Sequence, residues 1–271
     1  VHALGRHAVA PDGATAHAAD LLAPGATAAL LARLRPSHLV HLAWTTTPGR
    51  YWDDPANHDW VTASLALLRD FGAAGGRHAF FAGSCAEYDW QHGALDESTT
   101  PLRPRTRYGR CKAALGLLAG DLAEARGVSL AWGRIHFPYG PGEHPERLVP
   151  QLARKLLAGE PAATGPAAVA RDFIHVDDLA AAIALLLRQG HHGVLDLCSG
   201  RSTEVGEIAR RIAALLERED LLRLGALPAR PGDPLRLEGT PRALRALGWA
   251  PRVDLEAGLR QCVETWRARS P

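Results

Sequence analysis

The chain has 271 residues, 46% of them hydrophobic, which is enough to bury a sizeable core and excludes global disorder. Its 31 basic and 29 acidic residues leave a net charge of +2 and form no clustered patch, so no nucleic-acid partner is expected. No apolar run is long enough to span a membrane and no leader is recognisable. Cys85, Cys111, Cys198 and Cys262 form no C-x-x-C pair, so the expectation is a soluble cytoplasmic protein with reduced thiols and no metal site.

In chain order, the pattern predicts a short strand at Ala16–Ala19 and a helix at Thr27–Leu34. L-V-H-L-A (Leu39–Ala43) reads as a buried strand, Pro55–Phe71 as a helix, and A-F-F-A (Ala79–Ala82) as another strand. Arg107–Arg126 reads as a long helix and Ser129–Ile135 as a strand. Beyond residue 140 proline and glycine become frequent. There the pattern predicts helix Asp178–Arg188, strand Val194–Cys198, helix Val205–Leu216 and a last helix near Leu255–Arg267. Such alternation predicts an α/β fold: a doubly wound parallel sheet with right-handed crossovers, and a smaller C-terminal lobe interleaved with it.

Lysine occurs only at 112 and 155, and tyrosine only four times. By chance a Tyr-x-x-x-Lys would arise in roughly 3% of such chains, each tyrosine having one position four residues on. Y-G-R-C-K (Tyr108–Lys112) therefore stands out. On a helix, i and i+4 share a face, and an ammonium beside a phenol favours the phenolate, suiting it to pass a proton to or from a hydroxyl. Ser84 ends a buried strand, where ligands bind in open α/β sheets, and its hydroxyl is placed to orient a substrate oxygen for Tyr108.

Ser84 four residues before Tyr88, with Tyr-x-x-x-Lys beginning 24 residues after Ser84, resembles the extended short-chain dehydrogenases/reductases of nucleotide-sugar metabolism, the NAD-dependent epimerase/dehydratase group. Further segments are similar in the same order. H-L-A-W (41–44) looks like the family's H-L-A-A, and G-R-I-H-F-P-Y-G-P-G (133–142) like its R-x-x-N-x-Y-G-P. R-D-F-I-H-V-D-D-L (171–179) is the most specific match, followed by R-P-G-D (230–233) and A-L-G-W-A-P (246–251). The resemblance implies a Rossmann-type dinucleotide-binding domain, incomplete, over residues 1–140, and a mainly substrate-binding lobe over 141–271.

It also implies roles. Tyr108 is the catalytic acid/base, Lys112 tunes it and holds the nicotinamide ribose, and Ser84 orients substrate. Asp20 and Leu21 match an adenine-contacting pair, Leu42, Ala43 and Trp44 match cofactor-lining positions, and Pro138 a residue near the nicotinamide. Arg171 and Arg230 match arginines that grip the substrate diphosphate, which a planar guanidinium suits. Asp233 belongs to the same substrate signature, while His175 and Asp177 are expected to hold the lobe together. Arg6 follows the apparent second family strand, where arginine accommodates a 2′-phosphate, so the cofactor expectation is NAD or NADP with a lean to NADP. A homodimer through helices Pro55–Phe71 and Arg107–Arg126 is implied by the resemblance alone.

Three departures narrow this expectation. The phosphate-cradling glycine spacing is absent from Gly5, Gly13 and Gly25, and the chain opens on Val1 with no Met, which reads as a trimmed segment or an unusual start, with the loop either truncated or lost. Cys85 and Ala86 replace the Asp-Glu pair of dehydratases, disfavouring a 4,6-dehydratase. Phe137 stands where many members carry a substrate-binding Asn. The reading is an NAD(P)-dependent epimerase or 4-ketoreductase of a nucleoside-diphosphate sugar; the alternative is a catalytically silent nucleotide-binding protein of the same fold.

Overall fold

The computed structural model describes residues 1–269. Two compact units emerge: Val1–Glu87 with Pro104–Gly133 and Leu186–Val194, and Tyr88–Arg103 with Arg134–Leu185 and the chain from Leu195 onward. Each element anticipated between Ala16 and Arg267 is present, its ends within two residues of expectation.

In the first unit, strands His38–His41 and His78–Ser84 pair in parallel, with His38 opposite His78 and His41 opposite Phe81. Ser129–Ile135 lies on the other side of His78–Ser84. Ala79, Phe80 and Phe81 are all buried, as expected of a central strand covered on both faces. Helices Ala56–Ala73 and Arg107–Ala125 share one core with this sheet, where Leu68, Phe71, Leu115 and Ala119 meet Phe81, Leu130 and Trp132. The sheet is not continuous. Strands His2–Gly5 and Thr15–Ala18 form a separate parallel pair, with His2 opposite Thr15. Among the described residues nothing pairs with the outer edge of His38–His41, so the expectation of a buried strand at Leu39–Ala43 is corrected: it is an edge strand with Val40 and Leu42 exposed.

The second unit is more ordered than its proline and glycine content suggests. Strand Ala170–His175 is central: Ser202–Glu204 runs antiparallel to it, while Arg236–Gly239 and Phe137–Tyr139 run parallel. Helices Leu148–Leu157, Val205–Leu216 and Leu255–Arg267 enclose a core that includes Leu152, Leu156, Ile208, Ile212 and Leu259. The first of these helices was not anticipated. Its Pro150 falls in the first turn, where the missing N–H has no intrahelical partner to lose.

Leu68 is fully buried in the first core. Truncating it to alanine removes about 2–5 kcal/mol of stability, read as a lower urea midpoint with an unchanged slope.

Candidate active site

Ser84 is the last residue of strand His78–Ser84, and Cys85–Glu87 follow as one 3-10 turn. Thr106 starts the next helix: its backbone is extended and its Oγ1 accepts the Gly109 N–H at 3.1 Å. That cap fixes Tyr108 in the first turn and Lys112 one turn on. Tyr108 N–H, which has no helical partner, donates to Trp52 O at 2.9 Å. The helix can lie against the Ser84 turn only because residue 109 is glycine. A Cβ there would run into the Ala86 carbonyl oxygen and the Pro104 ring. Ser84 and Tyr108 are thereby brought near enough for the Ser84 hydroxyl to act on the Tyr108 phenol.

Lys112 is 4% exposed. Its Nζ donates to Ala82 O at 2.8 Å and lies 3.7 Å from the Trp44 ring centroid and 5.9 Å from that of Tyr108. Burial brings its pKa down to about 7, against the opposing charge of Glu87. The expectation that the ammonium lowers the Tyr108 pKa needs correction. Burial pushes Tyr108 upward, the Ser84 hydrogen bond pulls it down, and Tyr51, Cys85 and Glu87 push it further up. Burial is the largest cause, and the phenol stays protonated. His41 is held neutral close by, its pKa lowered to about 3 by burial and by Lys112, with its Nε2 2.8 Å from Ser64 Oγ.

Aromatic residues surround this group. Trp44 stacks on Trp60 at 5.8 Å, its Nε1 donating to Asn57 Oδ1 at 2.7 Å. Tyr51 and Trp52 meet the Tyr108 ring edge-on at 5.0 and 5.8 Å. Of these only Trp44 was anticipated; Tyr51 and Trp52 lie on a loop that carries no periodicity to read, and Trp60 lies on helix Ala56–Ala73. Glu87 was also missed. It is 1% exposed, accepts the Ser84 N–H at 2.7 Å and accepts Trp132 Nε1–H with both oxygens at 3.1 Å. Its one sequence signal is a lone charge inside the otherwise apolar F-F-A-G-S-C-A-E.

The residues anticipated to line a cofactor sit just beyond the carboxyl ends of parallel strands. Arg6 follows His2–Gly5, Asp20 and Leu21 follow Thr15–Ala18, and Leu42, Ala43 and Trp44 follow His38–His41. Asp20 Oδ1 accepts the Leu22 N–H at 3.0 Å, and Arg6 is exposed. These positions fit a nicotinamide dinucleotide: Lys112 gives one N–H to Ala82 O and, as an ammonium, has others for ribose hydroxyls.

In the second unit, a cavity of about 330 Å³ gathers Phe137, Pro138, Arg171, Arg230 and Asp233. Arg171 is engaged there: it pairs with Asp233 at 2.7 Å, donates to Ala170 O and Pro234 O, and lies 5.6 Å from the Phe137 ring. Arg230 is exposed on the cavity rim. Glu143, which no motif flagged, lines the same cavity with one oxygen buried and unpartnered, its carboxyl pushed up to about 7 by burial. Phe173 lines the cavity too, whereas the Asp and His residues of R-D-F-I-H-V-D-D build the unit. Asp172 accepts from Ser199, Gly200 and Gly239 N–H, Asp178 from Arg252 and Val253 N–H, and His175 Nδ1 from Asp177 N–H.

Known proteins resemble this chain in sequence and in fold. Residues 1–198 match the model of the NAD dependent epimerase/dehydratase family. The chain is 33% identical over 180 residues to a dTDP-glucose 4,6-dehydratase of Mycolicibacterium smegmatis, a match covering 63% of this chain and 52% of that one, so it spans about half of that relative. It is 26% identical over 269 residues to a GDP-6-deoxy-D-mannose reductase of Pseudomonas aeruginosa, covering 93% and 87%. Among solved structures, RMD from Pseudomonas aeruginosa complexed with NADPH superposes with a TM-score of 0.82 at 25% identity, covering 94% of this chain and 89% of that one. Among the described residues no helix is long and apolar enough to cross a membrane.

Two outcomes are expected. Gly109→Ala separates Tyr108 from Ser84 and lowers the thermal midpoint, the added methyl having no room. Lys112 has a folded pKa of about 7 against 10.5 for the free side chain, so the native state gains stability as pH rises between those values. Relative to Lys112→Met, the wild type should gain up to about 1.4 kcal/mol per pH unit across that window in denaturant unfolding, with no further change below pH 7.

Proposed function

The chain belongs to the NAD dependent epimerase/dehydratase family, and from that premise we propose that it is an NAD(P)-dependent epimerase or 4-ketoreductase of a nucleoside-diphosphate sugar. The observation that carries this reading is Tyr108 held in the first turn of a helix that lies against the Ser84 turn, with Lys112 buried one turn on and donating to Ala82 O. We assign the cofactor mainly to residues 1–140 and the sugar nucleotide mainly to 141–271.

A bound nicotinamide dinucleotide supplies hydride acceptance or donation at a sugar carbon. Held as a phenol, Tyr108 gives its proton to the sugar oxygen when a carbonyl is reduced; in the opposite sense it takes the hydroxyl proton only after passing its own to Lys112 as the neutral amine, and Ser84 fixes the oxygen in both. Because Lys112 titrates near neutrality, it can return charge to the site as Tyr108 gives up its proton. The aromatic residues around Tyr108 exclude water. Arg171 and Arg230 hold the diphosphate, which would displace Asp233 from Arg171. Phe137 presents an apolar face to the sugar. Arg6, exposed after the first strand, favours NADP.

Cys85 and Ala86 carry no carboxylate and are buried, which argues against dehydration despite the similarity to a dehydratase. One observation favours a catalytically silent binding protein: the Trp44 ring already lies on the Lys112 ammonium. Helix Arg107–Ala125 leaves Leu117 and Leu118 exposed, which supports a homodimer through that face, and four free cysteines support the cytoplasm.

Incubating the chain with nucleoside-diphosphate sugars and NAD or NADP, while following reduced-nicotinamide absorbance and product stereochemistry, tests the reading. Tyr108→Phe should lose about 10²–10⁴-fold in turnover. Full turnover in that variant would sink the proposal, and cofactor binding without turnover in the wild type would favour the silent protein.

A further inference from the structure

Glu87 has no part in the chemistry above, yet it lies immediately behind it. Its carboxylate is 1% exposed, on the 3-10 turn that follows Ser84. One oxygen takes the Ser84 N–H at 2.7 Å, and both take the Trp132 indole N–H at 3.1 Å. The packing is built around this contact: a Cβ on Gly83 would lie 2.7 Å from Glu87 Oε1 and collide with the Trp132 indole. Burying a carboxylate is costly unless its oxygens are satisfied and its charge is answered. The Ser84 and Trp132 N–H groups meet its oxygens, and Lys112 is a cation that feels its charge. The groups facing this pocket include Ser84 and Cys85 on the turn, Tyr108 and Lys112 on the helix, Trp132 on the neighbouring strand, His41 on strand His38–His41, and Tyr51 from the loop against Tyr108.

We propose that Glu87 is a positioning residue of the site: its buried carboxylate fixes Ser84 through the main chain and sets the electrostatic balance of the Tyr108–Lys112 pair. The carboxylate sits one position beyond the buried Cys85–Ala86 pair, held by the strand-side indole. It acts on the proton-handling groups from behind. Its charge raises the affinity for protons of both Lys112 and Tyr108, against a desolvation that lowers the first and raises the second. Removing the charge therefore moves both titrations to lower pH. Lys112 then loses its proton earlier, and at neutral pH the pair carries less positive charge.

This inference rests on the reading of Tyr108 and Lys112 as the proton-handling pair, but its test needs no turnover. The chain has only two lysines, Lys112 and Lys155, so side-chain ¹³Cε NMR resolves the Lys112 titration directly. Glu87→Gln keeps an acceptor for Ser84 and Trp132 and removes the charge. Its Lys112 midpoint should fall by about one pH unit, with Lys155 unmoved as the internal reference. Glu87→Asp, which keeps the charge, should stay close to wild type. If Glu87→Gln is too unstable to titrate, Glu87→Leu with Trp132→Leu removes charge and partner together and is read in the same way. An unmoved Lys112 midpoint in the charge-free variants, or an equal fall in Glu87→Asp, overturns the proposal. Where turnover is measurable, the pH–rate profile of Glu87→Gln should move to lower pH as a whole; a uniform loss of rate with an unmoved profile would mean a structural role only.

Discussion

The approach of helix Arg107–Ala125 to the turn after Ser84 is the constraint on which the site depends. It is permitted by one absent side chain, since a Cβ at Gly109 would occupy the space of the Ala86 carbonyl oxygen. Once that contact forms, the helical repeat does the rest. The Thr106 cap sets the first residue, Tyr108 reaches Ser84, and Lys112 reaches Ala82 O one turn later. Gly116 continues the same seam, where a Cβ would press on the Trp132 ring.

Close packing makes the site dry, and dryness governs its electrostatics. Lys112 falls to about 7, His41 is neutral and Tyr108 is held as a phenol, each because burial penalises the charged form. In such surroundings a single carboxylate or ring has a large effect on proton balance, whereas at the surface solvent would mute it. Glu87 and Trp44 matter for that reason: one brings charge from behind, the other offers a π face to the ammonium.

The second unit uses its buried acids differently. Asp172 and Asp178 spend their oxygens on backbone N–H groups of loops far along the chain, tying strand Ala170–His175 to residues near 200, 239 and 252. Arg171, between them in character, serves both packing and the cavity: it holds Ala170 and Pro234 carbonyls while facing Asp233. A motif that looks like a ligand signature is thus largely an internal brace.

The sequence by itself determined the alternation of strands and helices, the place of Ser84 at a strand end, and the one-turn spacing of Tyr108 and Lys112. These are local properties, set by hydrophobic period, capping and turn residues, and they are legible one segment at a time. Helix Leu148–Leu157 escaped because its proline-rich flanks hid its period, and the split of the sheet escaped because strand neighbours are chosen across the chain. Tertiary structure alone decided that Trp44 covers Lys112, that Glu87 lies behind Ser84, that Glu143 lines the cavity, and that the Tyr108 pKa rises. Each of those depends on which distant side chains exclude water from a given group, and no local pattern records that.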